Sequence, residues 1–159
     1  MCEASRSNEQ LILALDGLET QEVYDLVDKL PKLRWVKVGL ELFLIAGPDM
    51  VADLRLRGLR VFLDMKFHDI PVTMKSACFQ AARTGAELIT VHAAAGKSSL
   101  LQAQSAVIDG ASKADLVPPT LLAVTVLTSW SQKNFSEELE INQPIATRVE
   151  KLAGLAYEV

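Results

Sequence analysis

Asp64 and Lys66 stand two residues apart at the end of the apolar run Val61-Phe62-Leu63, and Asp69 follows just ahead of Ile70-Pro71. Side chains alternate faces along a strand, so residues spaced i, i+2 point to the same side. A carboxylate and an ammonium at the end of a hydrophobic strand need a reason, because an ion taken from water without a partner is costly. A plain salt bridge would be reason enough for a lone Asp-x-Lys. An active site would be another: an ammonium held beside a carbon that develops negative charge stabilises that charge and can then supply a proton. The rest of the chain favours the second reading, because polar residues recur where other apolar runs end. Asp16 follows the run 11–15, Lys37 sits between Val36 and Val38, His92 follows 87–91, and Thr128 follows the run 121–127.

These runs read as strands, 11–15 as a fully buried one, and each is followed by helical spacing. Thr20 predicts an N-cap, Val23, Leu26, Val27 and Leu30 the buried stripe, and Pro31 the stop. After Trp35-Val36-Lys37-Val38-Gly39 come two helical pieces, 41–46 and 48–57, with Gly58 beyond. Pro71 opens a helix whose inner face is Met74, Ala77, Cys78 and Ala81, and Gly85 closes it. Small residues at 93–96 lead into a helix over 97–112. A polar loop with a short acidic turn at 136–140 precedes a last helix lined by Ile145, Val149, Leu152, Ala153 and Ala156.

Five strand-then-helix units without a hairpin signal predict an α/β fold with a parallel sheet and right-handed crossovers. An open doubly wound sheet and part of an eight-fold βα barrel both fit this order. Neither a dinucleotide fingerprint nor a Walker loop is present. Polar groups converging at the carboxyl ends of the strands point to the barrel, whose sites are built at that end.

Half of the 159 residues are hydrophobic, enough for one core over residues 11–159 behind a polar, frayed tail at 1–10. The net charge of −4 disfavours a nucleic-acid partner. Cys2 and Cys78 lack metal-ligand spacing, which suits a reducing cytoplasm, and Cys78 reads as a core residue. His92 reads as a hydrogen-bonded histidine at a strand end. Neither a signal peptide nor a membrane-spanning run is evident.

The segments Leu-Ala-Leu-Asp, Val-Lys-Val-Gly, Leu-Asp-Met-Lys-Phe-His-Asp-Ile-Pro and Val-Thr-Val-Leu-Thr-Ser, in this order, resemble the orotidine 5′-phosphate decarboxylase family. The resemblance runs from Leu11 onward, and Asp-x-Lys-x-x-Asp-Ile-Pro is its specific part. It implies a (β/α)8 TIM barrel, of which this chain holds about the first five units. It implies a homodimer that converts orotidine 5′-phosphate to uridine 5′-phosphate, the last step of de novo pyrimidine synthesis, with no metal and no organic cofactor. By resemblance Lys66 is the proton donor, and Asp64 faces the substrate carboxylate. Asp69 is given across the dimer interface, Lys37 bridges the charge array and the ribose, and Asp16 meets a ribose hydroxyl. Ile70, Thr73 and Thr128 match substrate-contacting positions. The family continues through three more strands that supply phosphate-gripping residues, so the chain reads as a fragment, expected to be poorly folded and inactive alone. The nearest alternatives in the superfamily are 3-keto-L-gulonate 6-phosphate decarboxylase and hexulose phosphate synthase, which use magnesium. Those carry a glutamate at the place of Lys37 and lack Ile-Pro after the second aspartate. A third reading is a non-catalytic half-barrel that binds a nucleotide or another chain.

Overall fold

A computed structural model describes residues 10–159. The expected tail at 1–10 and Cys2 lie outside the described residues, apart from the exposed bend at Gln10. The elements run β1 (Ile12–Ala14), α1 (Thr20–Asp28), β2 (Trp35–Gly39), α2 (Leu40–Ala46), α3 (Asp49–Leu56), β3 (Arg60–Phe67) and α4 (Pro71–Arg83). They continue with β4 (Leu88–His92), a 3₁₀ turn (Ala93–Ala95), α5 (Lys97–Lys113), β5 (Thr120–Val124), α6 (Gln132–Leu139) and α7 (Ile145–Tyr157).

All strand pairs are parallel, in the order β1-β2-β3-β4-β5. A doubly wound sheet reverses its strand order at a switch point. The unbroken consecutive order here is that of a βα barrel, five units of which the chain provides. Alternate residues face the helices: Val36, Val38, Val61, Leu63, Ile89 and Val91 are buried, most of them completely. They pack into two clusters, one with α1 to α3 through Val23, Leu42, Met50 and Leu54, the other with α4 and α5 through Met74, Cys78, Leu100 and Val107. Each such side chain contributes roughly 1.5–3 kcal/mol, against about 0–1 kcal/mol for an exposed ion pair. Packing on the helix side therefore sets the strand positions, and polar groups on the other face are carried along.

Several expectations need correction. Residues 11–15 do not form a fully buried strand: β1 is an edge strand, Leu15 and Leu13 pack toward the helices, and Leu11, Ile12 and Ala14 are exposed. Glu19, not Thr20, caps α1, and its N–H donates to Glu22 Oε2 at 2.9 Å. The acidic segment at 136–140 belongs to a full helix, α6, because Ser131 Oγ accepts the N–H of Asn134 and Phe135 is buried beneath it. On α7, Leu152 is buried while Ala153 is exposed. The fifth strand stops at Val124, so Thr128 stands in a turn beyond the sheet.

Candidate functional site

The face of the sheet away from the helices carries Lys37, Gly39, Asp64 and Thr90 at neighbouring register positions, with Gly39 paired to Asp64. Asp16 follows β1 in the loop that turns at Gly17, whose N–H donates to Glu41 Oε2 at 3.2 Å. Gly39 leaves room there: a methyl at this position would overlap Asp16 Oδ1 and stand 3.3 Å from Lys37 Nζ. Into that room Lys37 projects and donates to both Asp16 carboxylate oxygens, at 2.6 and 2.8 Å. Its Nζ is also 3.8 Å from Asp64 Oδ2. The same oxygen accepts from Lys66 Nζ at 2.7 Å. The result is an alternating row, Asp16–Lys37–Asp64–Lys66. Its middle is sheltered, with Lys37 and Asp64 side chains 18% and 12% exposed, and its outer end open, with Lys66 41% exposed. Lys37 is thus an inward group between two carboxylates, not a lysine extended along the surface.

Asp64 and Lys66 meet as expected, but not by strand alternation. Between the pairs Leu63↔Ile89 and Phe67↔Val91, three residues of β3 (Asp64, Met65 and Lys66) lie opposite the single residue Thr90 of β4, and Lys66 adopts φ 50°. A non-glycine residue in that region costs on the order of 1–3 kcal/mol unless its surroundings impose it. Thr90, buried on β4, supplies part of the imposition. Its Oγ1 accepts the N–H of Lys66 at 2.8 Å and donates to Asp64 Oδ1 at 2.8 Å. Burial alone would push the Asp64 carboxyl up; hydrogen bonds from Lys66 and Thr90 and the charges of Lys66 and Lys37 outweigh it and hold the group below its ordinary range. Asp64 is therefore a carboxylate at neutral pH, and Lys66 is held beside it with an open face.

Asp69 does not join this row and, among the described residues, makes no ion pair. Its Oδ1 accepts the N–H of Ile70 at 2.7 Å, and its carbonyl accepts from the buried hydroxyl of Ser99 at 3.1 Å. Ile70 caps α4, and Thr73 stands exposed in the first turn of that helix. Asp69, Ile70 and Pro71 line a cleft of about 600 Å³ with Ala94 to Ser99. Thr128 is exposed beyond β5.

His92 makes a ring contact, not the expected hydrogen bond: it packs on His68 with centroids 5.1 Å apart. Both line a small cavity with Thr125, Trp130, Phe135 and Arg148. Burial, then the charges of His68 and Lys66, lower the His92 pKa below its ordinary value. Cys78 is buried, and burial pushes its thiol up to about 11. Among the described residues no group of three His, Cys, Asp or Glu side chains is disposed to hold a metal ion, and no helix is long and apolar enough to cross a membrane. Sequence reasoning missed Gly39, Glu41, Thr90 and Ser99. Thr90 had a usable signal, since it is a hydroxyl inside the apolar run Leu88-Ile89-Thr90-Val91.

Residues 9–159 match the model of the family described as "Orotidine 5'-phosphate decarboxylase / HUMPS family". The chain is 58% identical over 151 residues to an orotidine 5′-phosphate decarboxylase of Prochlorococcus marinus. That match covers 95% of this chain and 63% of the relative. A second relative of the same name, from Parasynechococcus marenigrum, is 57% identical over 153 residues, covering 96% of this chain and 62% of the relative. The chain thus spans less than two thirds of the length of these curated relatives. The crystal structure of orotidine 5′-phosphate decarboxylase from Lactobacillus acidophilus superposes with a TM-score of 0.85 at 37% identity, covering 92% of this chain and 66% of that one.

Proposed function

The chain belongs to the orotidine 5′-phosphate decarboxylase / HUMPS family, and from that premise we propose that it forms the catalytic face of an enzyme converting orotidine 5′-phosphate to uridine 5′-phosphate. The observation that carries the reading is the Asp16–Lys37–Asp64–Lys66 row, in which one carboxylate oxygen of Asp64 serves both ammonium groups. The substrate's carboxylate lies against Asp64. The bond between the ring carbon and that carboxylate breaks, carbon dioxide leaves, and the electron pair stays on the carbon. The Lys66 ammonium stabilises this charge where it develops and transfers a proton to it, forming the new C–H bond; solvent reprotonates the amine. Lys37 and Asp16 hold the ribose, and Ile70, Thr73 and Thr128 border the substrate.

The enzyme works as a homodimer in the cytoplasm. Asp69 lies outside its own chain's row, beside exposed Ile70 and Val72, and so is free to complete a partner's site. Buried, unpaired Cys78 suits a reducing compartment. The magnesium-dependent sugar-phosphate branch fits less well, because the Lys37 ammonium already fills the space between Asp16 and Asp64 that a cation would need.

The test uses a completed barrel: residues 1–159 continued by the remaining part of the Prochlorococcus marinus relative. It should release carbon dioxide from orotidine 5′-phosphate with no loss on adding a chelator. Lys66→Arg keeps a positive charge but spreads it over a planar group that hardly releases a proton. It should lose at least ~3 kcal/mol of transition-state stabilisation, more than about a hundredfold in rate. Product affinity should fall far less. Near-normal rates for Lys66→Arg would reduce Lys66 to an ion-pair partner, and loss of turnover with chelator would favour the sugar-phosphate branch.

A further inference from the structure

We propose that Thr90 is a positioning residue for the reaction: through one hydroxyl on the neighbouring strand it sets both the backbone of Lys66 and the direction of the Asp64 carboxylate. The inference rests on the decarboxylase reading and deepens it. A hydroxyl has one proton and two lone pairs. The Lys66 N–H can only donate, so Thr90 Oγ1 must accept from it, and the hydroxyl proton is left for Asp64 Oδ1. Both bonds are 2.8 Å, and Thr90 is only 5% exposed, so water has little access to replace them. The position lies across from the irregular stretch of β3, where two residues more than the pairing requires are accommodated and Lys66 takes a positive φ. Such a conformation persists where neighbours over-determine it. Thr90 does so from outside the strand, tying the bulge to β4, whose Ile89 and Val91 are anchored in the core.

The second bond matters for the carboxylate. Asp64 Oδ2 faces Lys66 and Lys37, and Oδ1 faces Thr90. With Oδ1 held, the carboxylate cannot rotate without breaking a bond at one end. The direction of the Asp64 pKa, lowered in part by Thr90, agrees with this. Thr90 touches the Asp64 carboxylate and the Lys66 backbone and acts through them, which separates its expected signature from theirs.

The experiment compares the completed barrel with Thr90→Val, which keeps the shape and loses the hydroxyl, and Thr90→Ser, which keeps the hydroxyl. Thr90→Val should lower kcat by at least ~10-fold, since small displacements of a catalytic group are costly. Its affinity for uridine 5′-phosphate should stay within about threefold, and the acid limb of its kcat/KM profile should move to higher pH. Thr90→Ser should recover most of the rate. Parent-like kcat in Thr90→Val, or a Thr90→Ser as slow as Thr90→Val, would overturn the inference, the latter by assigning the effect to the methyl group. Amide hydrogen exchange at Lys66 gives a readout independent of turnover: Thr90→Val should speed it by about tenfold or more, and unchanged protection would also overturn the inference. If the unsubstituted barrel turns nothing over, the decarboxylase reading fails, while the exchange measurement still decides whether Thr90 holds the bulge.

Discussion

Replacing Gly39 by alanine should separate the stability of the sheet from the integrity of the site. The backbone at Gly39 has φ −86°, which alanine adopts freely, so no conformational strain is introduced. The added methyl would collide with the Asp16 carboxylate, the half-exposed end of a side chain that can swing outward. Two stability terms then nearly cancel. Alanine restricts the unfolded chain and gains roughly 0.5–1 kcal/mol over glycine, while the lost Asp16–Lys37 pair, exposed at its carboxylate end, is worth about 0–1 kcal/mol. The net change should stay within about 1 kcal/mol, a shift in Tm of roughly 2–4 °C in a barrel of this size. The site loses more. Lys37 gives up the carboxylate at 2.6 and 2.8 Å and keeps only the one at 3.8 Å. With its ammonium no longer held, Lys37 positions the substrate less well, which should cost up to roughly 100-fold in kcat/KM. Steady-state kinetics and thermal unfolding of the completed barrel measure both. Asp16→Ala should show a similar kinetic loss, and adding Gly39→Ala to it should cost little more, because both act through one contact. A fall in stability beyond about 3 kcal/mol, or additive kinetic losses, would refute the reasoning.

Two further outcomes follow from the same geometry. Inactive Asp69→Ala and inactive Lys66→Ala barrels, mixed and allowed to exchange subunits, should regain activity, since one site of each hybrid dimer is intact; only summed residual rates would sink the shared site. Stability should also depend on His92, whose folded pKa lies below its ordinary value because burial, His68 and Lys66 disfavour its charge, with Arg148 on the same cavity. The unfolded chain then binds the proton more readily, so stability is fully present above about pH 6.5 and is lost as pH falls through that value toward the folded pKa. Urea midpoints between about pH 7.5 and 5.5 should fall in the parent and flatten in His92→Gln; an equal slope in both would exclude His92 as the source. The Asp64 window lies separately, below its ordinary 3.8.

The parallel α/β order was legible because hydrophobic runs and helical spacing are local signals, and both are dominated by the burial that sets the strands. Lys37 and Asp64 were legible for the opposite reason: charges inside apolar runs are expensive enough to mark a site. What escaped the sequence was geometry that depends on neighbours. Nothing local announces a positive φ at Lys66, because lysine does not favour it; the conformation is imposed in part by a hydroxyl on the next strand, 24 residues away. Gly39 reads as a strand-end glycine until Asp16 and Lys37 are seen to occupy the space its side chain would take. The end of β5 was misplaced because Val126 and Leu127 continue an apolar run after the ladder with β4 has stopped at His92↔Val124.

These misses share a cause. The row of charges is built from two strands and one loop, and its precision comes from groups that carry no charge themselves. Gly39 supplies room and Thr90 supplies direction. Substitution of either should leave the ion-pairing residues present and the sheet folded, yet move the ammonium of Lys66 or Lys37 relative to the carboxylate between them. An alternating row in water tolerates such movement at little cost. A row that must meet a carbanion at one carbon does not, because stabilisation by a fixed charge is useful only where the charge develops. The sensitivity of turnover to Gly39 and Thr90 in a sheet that stays folded therefore distinguishes a catalytic array from a structural salt-bridge network made of the same four side chains.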